Sequence, residues 1–67
     1  MKVIYQKSYP NLDIKMVIWE DKKKCTQGVY LTRRNEVLYS HGTIRLWKLE
    51  SLKRKGRREL KRFPLIP

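Results

Sequence analysis

Leu12-Asp13-Ile14-Lys15-Met16-Val17-Ile18-Trp19 alternates along its whole length. Leu12, Ile14, Met16 and Ile18 fall on one side, and Asp13, Lys15, Val17 and Trp19 on the other, which is the period of an extended strand. One wholly apolar face against a mixed one describes a half-buried antiparallel strand. The neighbouring segments 2–8, 29–33, 36–40 and 43–48 are rich in valine, isoleucine, tyrosine and threonine, as strands are. Ile44 and Leu46 alternate again in the last of them.

Turn chemistry fills the gaps. Tyr9-Pro10-Asn11 suits a tight turn, with proline pre-setting φ and Asn11 tolerating a left-handed backbone. Residues 20–28 read as a longer polar connection containing Lys22, Lys23 and Lys24. Arg34-Asn35 and His41-Gly42 supply two further turns. The expectation is a small antiparallel meander or barrel-like sheet of four or five short strands.

The C-terminal third follows a different period. Leu49, Leu52, Gly56, Leu60 and Phe63 form one stripe of a helix. Ser51 can cap its start through its side-chain oxygen, and Pro64 stops it. Gly56 lies inside the pattern at a cost of about 1 kcal/mol against alanine, which suggests a kink or a close approach to the sheet. A rival reading starts the helix at Thr43 and adds Trp47 to its stripe. The expected fold class is α+β, a single small domain over 1–67, with a β-rich core at 1–48, a basic helix at 49–63 and a tail at 64–67.

Charge gives the functional direction. The chain carries a formal +11, and Lys48, Lys53, Arg54, Lys55, Arg57, Arg58, Lys61 and Arg62 face only Glu50 and Glu59 in the helix segment. Lys53–Arg57, Arg54–Arg58, Arg57–Lys61 and Arg58–Arg62 are like-charge pairs at i, i+4, each costing an isolated helix about 0.2–0.5 kcal/mol. Glu50–Arg54 offsets part of that. A chain of 67 residues buries about 60% of its unfolded surface and has only several kcal/mol of stability in all, so the penalty is noticeable. A polyanion would turn the repulsion into attraction.

Half of these cations are arginines, whose fork matches phosphate bidentately. The expected function is therefore binding of DNA or RNA through Lys53, Arg54, Lys55, Arg57, Arg58, Lys61 and Arg62, extended by Arg33, Arg34 and Arg45 near strand ends. Lys22, Lys23 and Lys24 form a weaker second cluster, equally read as an exposed loop. Trp19, on the more polar side of its strand, is a candidate for base stacking, with Tyr30 and Trp47 behind it. The bland reading is a solvated helix face with aromatics in the core. The alternative function is docking on an acidic surface of a larger assembly such as a polymerase.

Other classes find less support. His41 near Tyr39, Arg45 and Glu36 is a thin basis for ribonuclease chemistry, and Cys25 with His41 for nucleophilic catalysis, so no enzyme is expected. A lone histidine and a lone cysteine predict neither metal nor cofactor. Cys25 cannot form an internal disulfide, which suits a reducing, intracellular or virion setting rather than secretion. Val3-Ile4-Tyr5 is too short for a signal-peptide core, and no run approaches the ~20 apolar residues of a membrane span. An exposed strand edge leaves room for a homodimer.

Overall fold

In the computed structural model, which describes residues 1–44 and 48–63, four strands precede one helix. They are β1 (Lys2–Tyr9), β2 (Ile14–Asp21), β3 (Thr26–Arg33) and β4 (Glu36–Ile44), followed by α1 (Leu49–Leu60). The strands pair in sequence order, all antiparallel, so the sheet is a meander and is not closed into a barrel.

The turns follow local backbone chemistry. Between β1 and β2 the left-handed residue is Asp13 (φ 53°) rather than Asn11, and Leu12 N–H donates to the Tyr9 carbonyl at 3.0 Å. Leu12 and Asp13 thus belong to the turn and not to the strand. The long polar connection shrinks to Lys22–Cys25, because β2 runs on to Asp21 and β3 starts at Thr26. Asp21 makes this short turn possible: its Oδ1 accepts from the backbone N–H groups of Lys23 (3.1 Å) and Lys24 (3.3 Å). Arg34 (φ 50°) and Asn35 (φ 68°) are both left-handed, as a two-residue hairpin with the twist of its strands requires.

His41-Gly42 is no turn. β4 continues through both to Ile44, and Gly42 pairs with Gly28, which pairs with Trp19. A Cβ on Gly28 would stand 2.6 Å from the Trp19 ring, and one on Gly42 would stand 3.8 Å from it. The glycines make room for an indole laid across two strands, which is the other physical reason for glycine inside a strand. Thr43 and Ile44 therefore end β4 instead of opening a fifth strand, and Arg45, Leu46 and Trp47 lie outside the described residues.

Lys48 is extended (φ −74°, ψ 154°) and α1 begins at Leu49, so the helix does not start at Thr43. Lys48 rather than Ser51 is the N-cap residue, with no side-chain capping bond. The helix ends at Leu60, three residues before Phe63. Arg62 and Phe63 N–H donate to the Glu59 and Leu60 carbonyls at 3.0 and 3.1 Å, a tightened last turn.

The core lies between α1 and one face of the sheet. Ile14, Met16, Ile18, Val29, Leu31, Leu52 and Leu60 are its buried members, with Tyr5, Tyr9, Leu12, Tyr39 and Phe63 packed around them. Bulges in β1 and β4 let Ile4 and Leu38 join the same cluster. Leu49 stays exposed at the margin. Gly56 is the point of closest approach: a Cβ there would collide with the Met16 thioether and stand 3.2 Å from Val29 Cγ2. Glu59, buried on the same side of α1, was not foreseen from the stripe.

Two outcomes follow from this packing. Leu52 is fully buried, and truncating such a leucine to alanine costs about 2–5 kcal/mol, most of what a domain of this size has. Leu52→Asp should therefore unfold the chain in a thermal melt followed by circular dichroism. At Gly56, alanine gains about 1 kcal/mol of helix propensity, but overpacking a core costs about 1–3 kcal/mol. Met16 has no exposed surface into which to yield, so Gly56→Ala should lower the denaturation midpoint; a raised midpoint would contradict the close approach.

Candidate nucleic-acid interface

The stripe that buries Leu52, Gly56 and Leu60 turns the cations of α1 away from the sheet. Arg54, Arg57, Arg58, Lys61 and Arg62 are exposed, and Lys53 and Lys55 are half-buried along the flanks. Glu50 in the first turn and Arg57 and Arg58 in the last complement the helix dipole, a stabilisation of about 0.3–1 kcal/mol per charge. The dipole thus accounts for part of the asymmetry, but not for cations in mid-helix.

Carboxylates neutralise some of the cluster. Glu50 pairs with Lys53 at 3.3 Å rather than with Arg54, and Glu59 pairs with Arg62 at 3.2 Å. Glu50 is well exposed, so water screens the first pair and its contribution lies within about 0–1 kcal/mol. Glu59 shows only 9% of its side-chain surface, so the second pair is screened less and holds Arg62 more firmly. Among the described residues, Arg54, Lys55, Arg57, Arg58 and Lys61 have no carboxylate partner. Ser51, Arg54, Lys55 and Arg58 border a shallow recess on the outer side of the helix.

One flank of α1 runs beside β1. Lys53 Nζ stands 4.2 Å from the centre of the Tyr5 ring, and Lys7 Nζ is 5.4 Å from that of Tyr9. Burial, followed by the neighbouring Tyr5, pushes the Tyr9 phenol above its ordinary pKa, and Arg57 partly opposes the shift. Tyr9 is therefore a neutral hydroxyl at physiological pH. Lys7 was absent from the sequence-based set. The Tyr5-Lys7-Tyr9 alternation was its signal, legible only once β1 was known to border the helix.

The strand-end arginines are placed differently. Arg33 Nε and Nη2 donate to the Leu12 carbonyl at 3.2 and 2.8 Å, which ties the β3 end to the β1–β2 turn. Its guanidinium is committed to the fold. Arg34, beside it, pairs with Asp13 at 3.2 Å and stays mostly exposed. Arg45 lies outside the described residues. Lys22, Lys23 and Lys24 sit on the β2–β3 turn, at the other end of the sheet from Arg34, and so form a separate patch.

Trp19 is not brought together with the helix. Its ring lies over Gly28 and Gly42, whereas Gly56 of α1 abuts Met16 and Val29 on the opposite face. The sheet therefore stands between that indole and α1. No group of histidine, cysteine, aspartate or glutamate able to hold a metal ion occurs among the described residues, and no described helix is long and apolar enough to cross a membrane. Compared with protein-family models, curated proteins and solved structures, the chain finds no match in any of the three.

Proposed function

We propose that this chain binds nucleic acid, DNA or RNA, through phosphate contacts made by the outward face of α1. The observation that supports the reading is the set Arg54, Lys55, Arg57, Arg58 and Lys61: four cations of one short helix and the residue that caps its C-terminus, without a carboxylate partner among the described residues. Their mutual repulsion weakens a small domain, and phosphates relieve it. Arg54 and Arg58 stand one turn apart beside a recess, a spacing at which two guanidinium forks can grip successive phosphates.

Such contacts give affinity and register without reading bases. No catalysis is invoked. Lys53, Arg62 and Arg34 serve as secondary contacts, since each already holds a carboxylate. A polyanion of this kind and the free, exposed thiol of Cys25 both suit an intracellular or virion setting.

The test is binding to short DNA and RNA at several salt concentrations. With five phosphate contacts on duplex DNA, log K should fall against log salt with a slope of about −4.5, from roughly −0.9 per contact. Arg54→Ala with Arg58→Ala should leave the thermal melt unchanged and flatten that slope by about 2. Unchanged nucleic-acid affinity in the double variant would sink the assignment of this face. Negligible binding even at low salt would favour an acidic protein surface as the target instead.

A further inference from the structure

The helix-free face of the sheet is the least charged part of a chain with a formal charge of +11. Strand pairing fixes its membership: Val3, Trp19, Gly28 and Gly42 share one row, Gln6, Val17, Tyr30 and Ser40 the next, and Val37 and Ile44 lie at either end of β4. The charged residues that the register puts on this face are Lys15 and Asp21, of opposite sign. The other strand charges, Lys2, Lys7, Glu20, Arg33 and Glu36, fall on the side that α1 covers, around its rim.

That distribution inverts the usual one. A sheet with one solvated face normally carries its charged side chains there. Here the open face is apolar, aromatic and hydroxylic. Val37 and Ile44 are each 62% exposed and Val3 47%, while Val17 at the centre is buried although α1 packs on the opposite face. The Trp19 indole, bedded on two glycines, adds a broad flat ring to the same surface.

We infer that two copies of this chain associate face to face through these open sheets. A nucleic acid or an acidic protein would seek the cations on the other side; this surface offers neither partner a charge to meet. A second copy offers the same near-neutral apolar surface, as a two-fold contact requires. Stacked sheets lie about 10 Å apart, and each helix about 10 Å beyond its own sheet, so the two basic helices stand roughly 30 Å apart, several screening lengths at physiological salt. Face-to-face stacking places the helices of two such basic chains on opposite outer sides of the pair.

The area sets the strength. Four strands about 4.8 Å apart and about 26 Å long give a footprint of roughly 500 Å² per copy, or about 1,000 Å² in total, at the lower bound for a specific interface. The dimer is therefore weak and depends on concentration. If the proposed nucleic-acid reading holds as well, such a dimer carries phosphate-binding helices on opposite outer sides and can bridge two segments.

Sedimentation equilibrium of the full chain without nucleic acid tests the association on its own. The average mass should climb from 8.2 kDa towards twice that value near roughly millimolar protein, and climb further as salt rises. Val37→Asp with Ile44→Asp lowers the net positive charge and so eases long-range repulsion, yet it should leave the protein monomeric with an unchanged circular dichroism spectrum. A parent chain that stays monomeric at every concentration and salt overturns the inference. So does a folded double variant that associates as the parent does, because another surface is then responsible.

Discussion

Gly56 against Met16 and Val29 is the contact on which the arrangement of this domain turns. A four-stranded sheet held by no disulfide needs a cover over the face that carries Ile14, Met16, Ile18, Val29 and Leu31, and α1 supplies it. The absent side chain lets the helix backbone approach closely enough for Leu52 and Leu60 to reach the buried row of Ile14, Met16, Ile18, Val29 and Leu31. A larger residue would lift the helix and open space beneath both leucines. Interiors tolerate such voids poorly.

From that contact follows the orientation of the cations. Once one side of α1 is pressed on the sheet, Arg54, Arg57, Arg58 and Lys61 have only solvent to enter. The molecule becomes two-sided: a basic helical layer, and beyond the sheet a nearly uncharged face centred on Trp19 and Tyr30. The two sides differ in charge and in polarity. A chain this small has little interior to spare, so residues that a larger domain would bury remain available for contact.

The sheet-forming segments and the helix stripe were legible because their periods differ, two residues against nearly four. The β1–β2 and β3–β4 turns were legible from Pro10 and from Arg34-Asn35. Glycine misled in β4: His41-Gly42 has the chemistry of a turn, and only its pairing with Gly28 and the indole above shows why a strand wants glycine there. The connection after Glu20 looked long because lysines hide a turn that Asp21 closes with two backbone bonds. For the candidate site, charge density marked α1 correctly as an exposed basic surface, but Arg33 looked like its companions. Nothing local announces that its fork spans 21 residues to reach a carbonyl.

Sequence alone determined the alternating segments, the helix stripe and the sign of the charge, because periodicity and side-chain ionisation are properties of short segments. Tertiary structure decided which cations keep free forks, which are spent on Leu12, Asp13, Glu50 and Glu59, and that Trp19 lies on the other side of the sheet from them. Those outcomes depend on which faces meet across distant segments. Register fixes that, and one residue of slip would have sent every side chain to the opposite face.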